Sequence, residues 1–366
     1  MMKAKNYFII SIAVLAAAIS VMGCSGKKQA ESTENALGTQ PLQEAASIAN
    51  NNAPGRGGKS FNIGVSMYKT NNAFMSLYQA ELQKELENAG FQQENILLRD
   101  ANGKSEEQAK QMSEFINSAV DAIVINPVKP AEVQNYVNQA RSAGIPIIII
   151  NRETSHAEEA RWATEGIRAS YVGNDAQQAG NLLGEIVVSL DNKGDINGDG
   201  TVSYLLLQGD ADIAETGLKG DYCAKAITEA GLSKEELLKT GVNFDRAAAK
   251  QAVSDAAAKF GDKLEVVFCA DDETALGAVE GAEAAGKKPG ENIYILGING
   301  IEEACKEVKA GRLTGTLYAD YKLQAQLAAK AAMDMINKKA VEALDTVDYT
   351  KVTKDNAGEI LEKLEN

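Results

Sequence analysis

The feature that most constrains this chain is a recurring rhythm. Short, near-continuous apolar runs alternate with segments of helical spacing. "FNIGVSM", "ENILLRDA", "DAIVINP" and "IPIIIIN" read as strands, and between them lie the helical patterns "AFMSLYQAELQKELENAG", "SEEQAKQMSEFINSA" and "PAEVQNYVNQARSAG". In the first helix Leu82 and Leu86 share a face and Gly90 is a stop signal; in the second, Ser105 followed by acids reads as a cap. Strands apolar on both faces need cover on both faces, which implies a parallel sheet between layers of helix. A second series follows. Strand "SYVGND" leads into helix "AQQAGNLLGEIVVSL". Strand "VSYLLLQG", helix "AETGLKGDYCAKAITEAG", strand "KLEVVFCA", helix "DETALGAVEGAEAAG" and strand "IYILGIN" come next, and "LTGTLYAD", the long helix "YKLQAQLAAKAAMDMIN" and a last helix near "AGEILEKLEN" close the chain. Two such series predict two similar α/β domains. In sheets of this kind ligands bind beyond the carboxyl ends of the strands, so the residues just after each strand are the ones to inspect.

The 366 residues, 45% apolar and 24% charged, suit one large or two medium domains. A formal net charge of -14 argues against a nucleic-acid surface. The amino terminus has a different character. "MMKAKNYF" carries Lys3 and Lys5, and the apolar run "IISIAVLAAAISVMG" is shorter than the ~20 residues of a spanning helix. This pattern describes an export signal. Val21-Met22-Gly23-Cys24 resembles a bacterial lipobox, which implies a signal peptide over residues 1–23 and acylation of the Cys24 sulfur. An ordinary signal with an incidental Cys24 is the alternative. Residues 24–59, rich in Ser, Gln, Asn and Gly, read as a flexible, lipid-anchored linker, with order starting near Phe61. The expected location is extracytoplasmic, anchored to the cell membrane. Cys223, Cys269 and Cys305 form no C-x-x-C pair, so a disulfide scaffold or thiolate zinc site has little support; Cys269 reads as a buried small hydrophobe.

Several chemistries lack their residues. His156 is the one histidine and sits in the polar stretch "NRETSHAEEARW", where it reads as a solvated loop residue. Trp162, the one tryptophan, lies in the same stretch and reads as partly packed at the surface. No G-x-x-x-x-G-K-[ST] phosphate loop occurs. Asp271, Asp272 and Glu273 adjoin a helix start, where Asp272 suits a cap better than an acid/base pair. The strand ends are more informative: Asn71, Asn72 and Phe74, then Asn151 and Arg152, then Glu215 and Lys219, Asp271, and Asn299. Amides and carboxylates match hydroxyls that both donate and accept, and an aromatic ring covers the C–H face of a sugar. An enzyme would also need a matched acid and base, and none is evident, so no catalytic residues are assigned.

"DINGDGTVSY" places Asp195, Asn197 and Asp199 at alternate positions, with Gly200 and Thr201 next. An EF-hand calcium loop starts this way, but the bidentate glutamate of its twelfth position falls on Leu206. A metal-free Asn/Gly/Asp turn is the alternative; a dockerin-like repeat would need a second copy, which is absent.

"IGVSMYKTNNAFMS", "IIIINRE", "YVGND", "DINGDGTVSYLLLQGD", "LEVVFCADDETALGAVE", "ILGINGIEEACKEVKAGRLTGT" and "VTKDN" together resemble periplasmic galactose/glucose-binding proteins, in order and spacing, from about Phe61 to Asn356. The resemblance implies a type I periplasmic-binding fold, α/β, with two Rossmann-like lobes of parallel sheet joined by three hinge crossings near Asn174-Asp175, Ala319-Asp320 and Val347-Lys351. The lobes would comprise residues 60–174 with 320–348, and 175–319 with 349–366. It also implies a structural Ca²⁺ held by Asp195, Asn197, Asp199, the Thr201 carbonyl, Ser203 and a distant bidentate Glu265, with Ser203 standing where the family has a longer amide side chain. In the sugar site Phe74 corresponds to a stacking ring and Asn151 to a hydrogen-bonding amide. The other positions depart from the pattern: Asn72 stands for an Asp, Ile213 for a His, Glu215 for an Asp and Lys219 for an Arg. Phe244 stands for a Trp, Asp271 for an Asn, Asn299 for an Asp and Ala319 for an Asn.

Phe244 keeps an aromatic face, but Lys219 lacks the fork of Arg, and Ile213 and Ala319 each delete a polar partner. Each unsatisfied hydroxyl costs ~1–3 kcal/mol, against ~8 kcal/mol for micromolar binding. The expected ligand is therefore a relative of glucose or galactose, such as a deoxysugar, a pentose or a nucleoside. What the resemblance implies is a monomeric, lipid-anchored receptor that delivers a monosaccharide-like solute to an ABC permease. The alternative is a sensor feeding a chemoreceptor or histidine kinase; an exported enzyme would lack its acid/base pair.

Overall fold

The apolar runs form strands, and the polar-faced stretches between them form helices. The computed structural model describes residues 60–209 and 214–365, with the backbone alone over 214–221. The expected signal segment, Cys24, the expected tether to residue 59 and Ile213 lie outside the described residues. The first half builds β1 (Ile63–Met67), α1 (Ala73–Asn88), β2 (Ile96–Asp100), α2 (Ser105–Asn117), β3 (Ala122–Ile125), α3 (Val133–Ala143), β4 (Ile147–Ile150), α4 (His156–Thr164) and β5 (Ala169–Gly173). The second builds α5 (Ala176–Val188), β6 (Thr201–Gln208), α6 (Ala214–Glu229), β7 (Ser233–Gly241), α7 (Arg246–Phe260), β8 (Val266–Cys269), α8 (Asp272–Ala284), β9 (Tyr294–Leu296), α9 (Glu302–Ala310) and β10 (Thr316–Tyr318). The tail adds α10 (Tyr321–Ile336), β11 (Leu344–Thr346), β12 (Thr350–Val352) and α11 (Ala357–Glu365).

The strands assemble into a six-stranded sheet of order β11-β5-β4-β3-β1-β2 and a four-stranded sheet of order β7-β6-β8-β9. Every pairing within these two sheets is parallel. Parallel bridges from Leu296 to Gly315 and from Asn299 to Tyr318 lay β10 beside β9, and β10 also pairs antiparallel with β12. Both sheets thus follow one doubly wound order, with the first strand of each lobe flanked by its second and third. All residues of β1, β3, β4, β5 and β8 are buried, as strands covered on both faces must be.

Helices dress each sheet. α10 runs along α1 and packs on β3, β4 and β5, while α5 packs on α6 and on β10 and β12. The chain therefore passes between the lobes at Asn174–Asp175, at Ala319–Asp320 and across Val347–Tyr349. These crossings are tied together. Gln324 Nε2 donates to Asn174 Oδ1 at 2.8 Å, and Asn174 Nδ2 donates to the Val347 carbonyl at 2.5 Å. Gln178 Nε2 donates to Asp348 at 2.7 Å while its oxygen accepts from Tyr349 N at 2.8 Å.

Some local expectations need correcting. Trp162 is 1% exposed, not partly packed at the surface: it lies on α4, and its indole N–H donates to Glu158 Oε1 at 2.7 Å. Ser105 is not the cap of α2; Lys104 occupies the cap position without a side-chain bond, and Ser105 is the first helical residue. Asp271, not Asp272, caps α8, with Oδ1 accepting from Thr274 N at 2.9 Å. Asp272 is instead fully buried, accepting from the Thr316 hydroxyl at 2.5 Å and from Ile301 N at 2.8 Å. Burial drives its carboxyl well above the usual range. The pair β7 and α7, absent from the sequence reading, completes the second lobe. Cys269 is buried, as expected.

Candidate functional site

In a doubly wound sheet the crevice opens where the strand order reverses, beyond the carboxyl ends. In the first lobe that point lies between β1 and β3, and in the second between β6 and β8. Tyr68, Asn72 and Asn126 follow β1 and β3; Gly209 and Asp271 follow β6 and β8.

A chain of contacts links the two sets. Asn72 caps α1 through Oδ1, which accepts from Met75 N at 2.8 Å, and its Nδ2 lies 3.5 Å from the Tyr68 hydroxyl. The Arg152 guanidinium lies over the Tyr68 ring at 3.7 Å and donates to the Val128 carbonyl at 2.7 Å. On its way across the interlobe gap it reaches the Phe244 ring, 5.8 Å from the same guanidinium carbon. Arg152 is 6% exposed and Tyr68 likewise 6%. Burial raises the Tyr68 phenol; Arg152 opposes that shift, and Asp271, reaching across from the other lobe, adds to it. Loops from the two sheets therefore face one another at charge-interaction range.

Two of these residues hold left-handed backbones. Asn151 has φ 62° directly after β4, and Phe244 has φ 57° directly after Asn243 at 53°. Such conformations are costly for a bulky side chain and recur where geometry serves function. Phe244 can take its position because Gly209 lacks a Cβ, which would lie 1.9 Å from the ring.

The sequence-derived site residues distribute as follows. Asn72 stands at the gap beside Tyr68. Phe74 is 4% exposed, its ring edge-on to Tyr78 and to Tyr321, each at 6.1 Å. Asn151 Oδ1 accepts from Asn126 Nδ2 at 3.4 Å. Phe244 and Asp271 approach from the second lobe. Asn299 and Ala319 meet through their backbones, Ala319 N donating to Asn299 O at 3.1 Å. Glu215 and Lys219 lie on α6, and their side chains are outside the described residues, as is Ile213. The sequence reading missed Tyr68 and Asn126 and left Arg152 outside the binding set. Asn126 follows the last apolar residue of the run "DAIVINP", so the strand-end rule alone would have found it. It is fully buried, and its Oδ1 has no hydrogen-bond partner.

A second cluster of oxygen donors lies on the second lobe. The Asp195 carboxylate accepts from Gly198, Asp199 and Gly200 N–H at 2.8, 3.1 and 2.9 Å. Asn197 Oδ1 accepts from Asp199 N, and Asp199 Oδ1 from Thr201 N, both at 2.9 Å. Glu265, just before β8, reaches into the loop: Oε1 accepts from Ile196 and Asn197 N at 2.7 and 3.0 Å, and Oε2 from Ser203 N at 2.9 Å. Glu265 is fully buried, and burial raises its carboxyl, with Asp195 adding to the shift. Among the described residues no lysine or arginine pairs with Asp195, Asp199 or Glu265. Ser203 Oγ is buried without a hydrogen-bond partner. Hard oxygen donors gathered around uncompensated carboxylates, with one orphaned hydroxyl, fit Ca²⁺. Gly200, at φ 83°, permits the turn.

A model of the periplasmic binding protein domain matches residues 63–340. The chain belongs to this family. The D-galactose/methyl-galactoside binding periplasmic protein of Haemophilus influenzae is 28% identical over 314 residues, covering 82% of this chain and 91% of that protein. The ribose import binding protein of Bacillus subtilis is 26% identical over 292 residues, covering 78% and 84%. Among solved structures, an ABC transporter solute binding protein from Bacillus halodurans with bound myo-inositol aligns with a TM-score of 0.73 at 28% identity, covering 84% of this chain and 99% of that one. In this periplasmic binding protein the two like-ordered lobes and the three crossings place Tyr68, Arg152, Phe244 and Asp271 along one shared gap.

Proposed function

We propose that this periplasmic binding protein captures a monosaccharide, or a cyclic polyol of similar size, between its lobes and delivers it to an ABC permease. The observation that carries the reading is the interlobe contact chain from Asn72 through Tyr68 and Arg152 to Phe244, with Asn126, Asn151, Asp271 and Asn299 at neighbouring strand ends. Amide, guanidinium and carboxylate groups match the donor and acceptor pattern of ring hydroxyls. The Phe244 and Tyr68 rings supply apolar faces for the ring carbons. A ligand that touches both lobes favours the closed arrangement, so capture is a population shift about the crossings, and the permease reads the closed surface. The relatives' names span a hexose, a pentose and an inositol, which favours this class over a nucleoside. Binding without catalysis is the corresponding reading, because the relatives are solute-binding proteins.

Two further features belong to the same reading. Cys24 is read as the acylated amino terminus of a tether holding the lobes at the membrane, supported by the Val21-Met22-Gly23-Cys24 motif. Asp195, Asn197, Asp199, Thr201, Ser203 and Glu265 are read as holding Ca²⁺, which when bound cross-links the loop to β8. Glu265 and the loop N–H groups orient the oxygens for it.

The test is a thermal-shift and calorimetric screen of the purified protein with D-galactose, D-glucose, D-ribose, myo-inositol and their deoxy relatives. One of these should bind at one site per chain and raise the melting temperature further, roughly with the logarithm of free ligand, as its excess grows. If none of them binds, and a charged or apolar solute does, the proposal is wrong.

A further inference from the structure

Glu153, His156 and Glu159 belong to neither set already described, although Glu153 directly follows Arg152. They follow β4 and open α4, three residues apart, so the glutamates flank the histidine on one side of the chain. His156 Nδ1 lies 3.2 Å from Glu159 Oε2 and 3.8 Å from Glu153 Oε1. One ligand atom from each of the three lies within 4.8 Å of the others. The edges of a tetrahedron around an ion with bonds of about 2.05 Å measure about 3.4 Å, between the two observed separations.

The burial is uneven in a telling way. Glu153 is 9% exposed and Glu159 6%, whereas the His156 side chain is 77% exposed. Buried carboxylates are costly unless paired. Here they share one histidine, and no lysine or arginine among the described residues pairs with either. The second oxygen of Glu159, Oε1, is buried and has no hydrogen-bond partner. Burial pushes the Glu153 carboxyl up to about 7, with Glu159 and Asp175 adding repulsion. One nitrogen and two carboxylate donors, with solvent on the exposed side to complete the shell, suit a borderline divalent ion.

We propose that Glu153, His156 and Glu159 bind one divalent transition-metal ion of the zinc class beside the first crossing between the lobes. The position gives the ion a mechanical consequence. Glu153 Oε2 accepts from Ala176 N at 3.3 Å, and Ala176 is the first residue of α5, just past Asn174–Asp175. Glu153 also lies two residues beyond Asn151. An ion here would stiffen the link between a strand end at the gap and the hinge. The proposal does not depend on the nature of the captured solute.

The experiment is Zn²⁺ titration of the full-length protein, purified in detergent and held in saturating Ca²⁺ so that the Asp195 loop does not compete. Binding is read by a competing chromophoric chelator and by the melting temperature. Wild-type protein should take up one Zn²⁺ that is lost or weakened roughly tenfold or more in His156→Ala and in Glu159→Gln. The exposed His156 can be truncated without disturbing the core, so the first variant keeps the test decisive if the second folds poorly. Cu²⁺ substituted at the site should show one nitrogen ligand by electron paramagnetic resonance, absent in His156→Ala. Equal Zn²⁺ affinity in wild type and His156→Ala, or no uptake by wild type, overturns the proposal.

Discussion

Arg152 donates to the Val128 carbonyl and lies over Tyr68, so its own lobe orients the guanidinium before Phe244 of the other lobe approaches. Lysine would keep the charge but lose the planar fork and the ring contact. Arg152→Lys should therefore weaken solute binding by ~1–2 kcal/mol, about tenfold, and, because the buried contacts to Val128 and Tyr68 are also lost, lower the melting temperature without solute. Calorimetry on both proteins checks this, and unchanged affinity would remove Arg152 from the site. Glu158 supports a different prediction. Both its oxygens accept from Arg161, at 2.8 and 2.6 Å, and one also accepts from Trp162. The hydrogen bond from Arg161 is the main reason its carboxyl sits below the ordinary 4.5. A lowered folded value stabilises above the unfolded value, and that stability is lost as pH falls through the folded one. Glu158→Gln should cost ~1–3 kcal/mol at neutral pH and flatten the acid-side decline below about 4.5. Urea titrations followed by Trp162 fluorescence at both pH values measure it. Glu158 and Trp162 also show the limit of reading single residues. "NRETSHAEEARW" looks solvated because most of its residues are polar, yet the four-residue spacing that joins an acid to the indole N–H was already present in it.

At the scale of elements, β3, β4 and β8 were legible because complete burial leaves an unbroken apolar run, and β1 because only Ser66 interrupts one. β7 was not. As the edge of its sheet it exposes most of its side chains, and "SKEELLKTG" neither alternates nor stays apolar. α7 hid for the opposite reason: its buried face is mostly alanine, Ala249, Ala256 and Ala257 with Val253, too small to stand out against its surroundings. The acidic loop that we read as a Ca²⁺ site was half legible. Its first five residues announce themselves by spacing, but Glu265 lies 62 residues beyond Ser203 and enters only through the pairing of β6 with β8. This arrangement predicts that Ca²⁺ joins the loop to the sheet. Adding Ca²⁺ at about a hundred times its dissociation constant should stabilise chelator-treated protein by about 2.7 kcal/mol, and Glu265→Gln should abolish that increment. Melting curves with and without chelator provide the comparison. A Glu265→Gln protein that still gains the full increment would rule out this ligand set.

For the whole molecule, the repeated strand order was implied by two β/α series, whereas the solute was not, because the gap is assembled from residues far apart in sequence and small shifts in their placement decide which hydroxyls are met. What holds the two lobes in register is the polar network at the crossings. Asn174 is 7% exposed and Gln324 fully buried; together with the Val347 carbonyl they join the first crossing, the helix after the second and the start of the third. Removing the central amide leaves Gln324 Nε2 and the Val347 carbonyl to find other partners in a buried setting, and such losses cost ~1–3 kcal/mol. Asn174→Ala should therefore lower unfolding free energy by that amount. The contacts across the gap, made by Arg152, Tyr68 and Phe244, are untouched by the substitution, so the solute should still draw the lobes together. Small-angle scattering should then show a broader spread of dimensions without solute and nearly the wild-type compact form with it. A variant as stable as wild type in urea would mean that the amide is dispensable and that backbone stiffness alone sets the hinge.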